Sequence, residues 1–99
     1  MTLSNAKKLI RLRDSGLIVL DRFIVELNAE MMYSELLDQM QDIIYKSIDE
    51  VKQVNTPSMN RLIVIFNGKM ISTKRMEKIR SFIELFAEVE KVYAQITTG

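Results

Sequence analysis

Apolar residues recur along this chain with several spacings, and each spacing predicts an element. Residues 62–66, Leu62-Ile63-Val64-Ile65-Phe66, are apolar without interruption and mostly β-branched or aromatic. Such a run predicts a strand buried on both faces, which other segments must cover. Asn67-Gly68 follows, the pair that best accepts the positive φ angles of a two-residue hairpin turn. Lys69-Met70-Ile71 is therefore predicted to return as a short antiparallel strand. Ser72 or Thr73 then suits the cap of the next helix.

Other patterns fill in the rest of the chain. Residues 3–14 read as a helix with Leu9, Ile10 and Leu12 on one side and Lys7, Lys8, Arg11 and Arg13 on the remainder, ended by Ser15-Gly16. Residues 17–27 alternate, with Phe23, Val25 and Leu27 on one face and Arg22, Ile24 and Glu26 on the other. Asp21 breaks that alternation, so one strand with a bent start is predicted. From Asn28, a cap residue, a helix is predicted to run to about Val54. Its stripe is Tyr33, Leu36, Leu37, Met40, Ile43, Ile44, Ile48 and Val51, with Glu30, Glu35, Asp38, Asp42, Asp49 and Glu50 opposite. Residues 55–58 hold the only proline and read as a loop. A last helix starts near Thr73 and ends near Glu88, and residues 91–98 alternate as a final strand. In the competing reading, Phe82, Leu85, Val89, Val92 and Ile96 form a seam that carries the helix to the C-terminus.

Together these elements make one α+β domain over residues 1–99, an N-terminal helix followed by β-α-β-β-α-β. A hairpin joining two β-α halves is the ferredoxin-like two-layer sandwich. Residues 1–16 are then an appendage or a second layer. A two-layer sandwich covers only one sheet face, yet residues 62–66 want cover on both, from the N-terminal helix or from a partner subunit. The alternative is a small doubly wound sheet. Residues 61–76 resemble the strand-turn-helix of anti-sigma-antagonist (STAS) domains, with Ser72-Thr73 where those domains carry an Asp-Ser pair.

Composition narrows the chemistry more than the fold. The 99 residues contain no cysteine and no histidine. Disulfides and thiolate metal sites are excluded, and the commonest general base and metal ligand are missing. No calcium-loop spacing is present either. These absences predict a non-enzymatic domain without cofactor or metal. No apolar run approaches the ~20 residues of a membrane span, and no secretory signal is visible, so a cytoplasmic domain with no membrane partner is expected.

Charge is the feature that most changes the functional picture. The formal net charge is only +1. Residues 1–22 nevertheless carry five basic side chains against two acidic ones, and residues 26–55 carry seven acidic against Lys46 and Lys52. Residues 61–80 carry six basic side chains against Glu77. Such blocks imply internal pairing or two faces of opposite sign. Lys74, Arg75 and Lys78 sit in the opening turns of the last helix, where the dipole disfavours cations by ~0.3–1 kcal/mol each. With Lys69, Ser72, Thr73 and Arg80 they form a candidate contact for an anion or for an acidic partner. Ile79, Ile83 and Phe86 make a second apolar seam on the same helix, a candidate oligomer interface. Six internal methionines add adaptable apolar surface.

The apolar surplus makes a protein–protein interaction or regulatory domain, acting as a homodimer or larger assembly, the first functional reading. A nucleic-acid-binding protein that grips phosphates with residues 69–80 is the second.

Overall fold

The computed structural model describes residues 16–97; the predicted helix over residues 3–14 lies outside the described residues. The order of elements is β1 (Leu17–Leu27), a 3-10 turn (Ala29–Met31), α1 (Ser34–Ser47), β2 (Val51–Ser58), β3 (Arg61–Phe66), β4 (Met70–Ser72), α2 (Thr73–Glu84) and β5 (Val89–Thr97). The described residues form an α+β domain built on a five-stranded, wholly antiparallel sheet with two α-helices.

β1 is the axis of the sheet. Its residues Arg22–Glu26 pair with β3 and its residues Leu17–Val19 with β4, while β5 lies along the opposite edge. β2 pairs only with β3 and closes the other side of the sheet. Residue 17 opens β1 and Thr97 closes β5, and Val19 and Thr97 lie side by side. The antiparallel pairing of β3 and β4 with β1 excludes the doubly wound parallel sheet considered from the STAS-like stretch.

The alternation in β1 survives as read. Leu20, Phe23, Val25 and Leu27 are buried, and the intervening residues are only partly covered. Asp21 marks a register shift between Leu20 and Arg22 in the pairing with β5. That irregularity puts Leu20 and Phe23 on one face although they are three apart.

Two expectations are corrected. The long helix predicted over residues 28–54 is three elements. Asn28 does cap, its Oδ1 accepting from Glu30 N at 3.1 Å, but it caps only the 3-10 turn. α1 starts afresh at Ser34 and gives way to extended backbone at Ile48, and residues 51–58 form β2 instead of a helix end and a loop. A register shift between Val51 and Gln53 explains the misreading. It leaves Val51 and Val54 both inward, a spacing of three that continues the helical stripe of Ile44 and Ile48. Pro57 is accommodated because β2 is an edge strand.

The second correction is at Asn67-Gly68. Gly68 does take a positive φ, +79°, but β3 and β4 run in the same direction along β1, so no hairpin forms there. The pair is a bulge between two halves of one strand path. Asn67 N–H donates to the Glu50 carbonyl at 2.9 Å, and Asn67 Oδ1 accepts from Lys69 N at 3.0 Å. The hairpin is between β2 and β3, around Met59-Asn60, with Ser58 opposite Arg61.

Both helices pack on the same sheet face. Leu37, Met40 and Ile44 of α1 join Met76, Ile79 and Ile83 of α2 over Phe23, Val25, Leu62, Val64 and Val92 in a single core. Phe23 and Phe66 meet edge to face, with ring centroids 5.1 Å apart. Burying side chains of this size contributes roughly 1.5–3 kcal/mol each. α2 ends at Glu84 and β5 begins at Val89, as the strand reading of the C-terminal segment requires.

Candidate interaction surfaces

The sheet face opposite the helices is open among the described residues. Cross-strand pairing places its side chains in rows. One row runs Asn55, Ile63, Ile24, Tyr93, and the next runs Gln53, Ile65, Arg22, Gln95. A third holds Ser58, Arg61, Glu26 and Lys91. Ile24, Ile63 and Ile65 are half-buried yet stand outside the core cluster, and Tyr93 is 41% exposed with Lys91 Nζ 5.3 Å from its ring centroid. Val19 and Met70, paired across β1 and β4, extend the apolar area. The face is therefore an isoleucine centre with Glu26, Arg61 and Lys91 at one end and Arg22, held by Asp21 at 3.0 Å, in the row at the other.

The basic block of residues 69–80 is largely engaged within the chain. Ser72 Oγ accepts from Arg75 N at 3.0 Å, which is the capping bond of α2. Thr73 N–H donates to the Gly16 carbonyl at 2.8 Å. Arg75 clasps Glu50 with two hydrogen bonds, Nε to Oε2 at 2.7 Å and Nη2 to Oε1 at 2.9 Å. The guanidinium hydrogen bond holds the Glu50 carboxyl below its ordinary value, and the same bond raises Arg75. Arg80 reaches the Val92 carbonyl on β5 at 2.9 Å, and its guanidinium carbon lies 5.7 Å from the Phe23 ring centroid. Its Nε is 3.6 Å from Glu77, too long for a hydrogen bond, and that buried atom has no hydrogen-bond partner. Lys69, Lys74 and Lys78 are exposed. The structure gathers Ser72, Thr73 and Arg75 at one helix start, but it turns their polar groups toward the chain's own partners.

The seam named on α2 is not a surface. Ile79 is 1% exposed and Ile83 0%, both in the core. Phe86 is half-buried at its margin and meets Phe82 edge to face at 6.2 Å. The helical spacing was sound, but at Ile79 and Ile83 it marks the face that α2 lays on the sheet, while Phe82 and Phe86 stay partly exposed and Leu85 is 80% exposed.

A shallow groove of about 520 Å³ lies between α1 and β2, lined by Asp38, Gln41, Asp42, Tyr45, Lys52, Gln53 and Val54. Asp42 is paired with Lys46 at 3.0 Å, and Gln41 Nε2 donates to the Val54 carbonyl at 2.6 Å. Reading β2 as helix hid this groove. The open face was better signalled, since the alternation of β1 already set Ile24 apart from Phe23 and Val25. Among the described residues no three acidic side chains converge to hold a metal ion, and no helix is long and apolar enough to cross a membrane.

Comparison of the chain with protein-family models, with curated proteins and with solved structures finds no match.

Proposed function

We propose that this chain is a non-enzymatic protein-interaction domain that works as a homo-oligomer. The observation that carries the reading is the open sheet face, where Ile24, Ile63, Ile65 and Tyr93 lie together with no described element over them. Contiguous apolar patches of more than a few hundred Å² on a folded domain mark interaction sites. If β3 and β4 count as one interrupted strand, the order β2, β3-β4, β1, β5 reads as a ferredoxin-like two-layer sandwich. That arrangement keeps both helices on one face and explains why the other stays bare.

The sheet edges are less suited to association than its face. Gln41 occupies a carbonyl of edge strand β2, and Arg80 one of edge strand β5. Side chains laid over an edge blunt the pairing of further strands. The nucleic-acid reading draws less support, because Arg75 and Arg80 are already engaged. The open face also offers aliphatic isoleucines and a single aromatic where single-strand platforms stack bases on several rings.

Light scattering of the full chain across the micromolar range, at low and high salt, tests the proposal. A dimer or larger mass that salt weakens only modestly is expected from an apolar interface. A monomeric mass throughout, with a melting midpoint independent of concentration, would refute it.

A further inference from the structure

Resting on the homo-oligomer reading, the geometry points to a specific dimer: we infer that two copies stack their open sheet faces about a two-fold axis running along the strands between β1 and β3, so that Glu26 of each copy meets Arg61 of the other.

The inference follows from the rows. Glu26 and Arg61 are direct cross-strand neighbours, and so are Ile24 and Ile63 one row along. A two-fold axis between β1 and β3, parallel to both, lays β1 of one copy over β3 of the other without shifting the rows. Glu26 then faces an arginine twice, and Ile24 faces an isoleucine twice. Every contact is repeated by symmetry, as an isologous interface requires. An axis across the strands would instead reverse the rows, laying Glu26 over Arg22 of the other copy, which Asp21 already engages at 3.0 Å, and leaving Arg61 against Ile65 with no opposite charge. Charge complementarity therefore selects the first axis. Aligned packing of two antiparallel sheets, ~10 Å apart and within ~30° of parallel, is a standard way for such faces to meet.

The face also sets the strength. Four strands ~4.8 Å apart and about six residues long present a flat area on the order of 400 Å². That is below the ~800 Å² per partner of a standard interface, so dissociation in the micromolar range is expected.

Charge reversal in separate copies tests the axis. Glu26→Arg leaves a copy with three cations at this end, Lys91 included, and Arg61→Glu leaves one with two anions beside Lys91. Each alone should raise its own dimer dissociation constant roughly 10- to 100-fold. An equimolar mixture should restore a 1:1 heterodimer. The pair within each chain stays like-charged in that mixture, so a merely intramolecular role cannot produce the rescue. Far-UV circular dichroism checks that both variants fold. If either does not, copies bearing Ile24→Cys and Ile63→Cys, in a chain with no native cysteine, replace them. A short bis-maleimide should then join unlike copies in preference to like ones.

A mixture that fails to restore the dimer, or cross-linking without that preference, would overturn the axis. Ile63→Asp separates the two levels of the argument. If the wild type is dimeric and Ile63→Asp leaves the dimer intact, this face is not the interface and the inference falls while self-association stands. A wild type that is monomeric throughout would overturn both, and would leave the face to residues 1–15 or to a different protein.

Discussion

The two faces of the sheet are made from the same strands and nearly the same residue types, yet they have opposite fates. On one, Phe23, Val25, Leu62 and Val64 are wholly buried under α1 and α2. On the other, Ile24, Ile63 and Ile65 alternate with them in sequence but, among the described residues, stand outside the core cluster beside their neighbours on the strands. Hydrophobic composition alone cannot tell the two apart. The difference lies in the punctuation by charge. The covered rows contain no charged residue, whereas the open rows carry Arg22, Glu26, Arg61 and Lys91 among the isoleucines. An apolar row that tolerates ions is one that water reaches for part of the molecule's life, which is what a surface that associates and separates needs.

The largest expected effect breaks the covered face. Phe23→Ala removes a ring that meets Phe66 and lies under Arg80, and should cost about 3–5 kcal/mol in denaturant unfolding. Next comes the bulge beside it. Gly68→Val forces a β-branched residue to φ +79° and should cost about 1–2 kcal/mol, although a side chain there meets nothing within 4 Å. An unchanged melting midpoint would mean the bulge does not hold that φ.

A polar link above the covered face should matter less. Arg75→Met should cost about 1 kcal/mol at neutral pH, allowing for solvent around the part-exposed guanidinium. Glu50 is held below its ordinary value of 4.5, so its contribution is present above that pH and is lost as pH falls through the lower folded value. The stability gap between wild type and Arg75→Met should therefore close in acid below about pH 4.5, as urea titrations at several pH values would register. The smallest effect belongs to the open face. Ile24→Thr should change the stability of the dissociated domain by no more than ~0.5 kcal/mol while weakening self-association. A loss as large as that of Phe23→Ala would mean the two faces are not different in kind.

The elements legible in the sequence are those whose side chains keep one period from end to end. β1 was visible from its alternation, including the interruption at Asp21, and the cap of α2 was narrowed to Ser72 or Thr73, of which Ser72 accepts from Arg75 N–H. β2 was not, because its bulge spaces Val51 and Val54 as a helix would. Asn67-Gly68 carried a true signal of positive φ, but φ at one residue does not say whether the chain reverses or merely steps aside. The α2 seam of Ile79 and Ile83 shows the same limit at the level of the site. Periodicity finds a buried face and is silent on whether the covering belongs to the same molecule. The open face needed the strand register, since only pairing brings Ile24 next to Ile63 and Glu26 next to Arg61.

The side-by-side placement of Val19 and Thr97 has a mechanical consequence. Described residues 16 and 97 stand at the same end of two adjacent antiparallel strands. Tension applied between them would peel β5 from β1 one cross-strand pair at a time, beginning at Val19 and Thr97. Bonds loaded singly yield at far lower force than a strand sheared along its whole length. The first to open exposes the Leu20 edge of the core, and the helix face of the sheet loses its Arg80 strut once peeling reaches Val92. Held between residues 16 and 97, the described strands make a weak spring; held at one of them, they bear no such load.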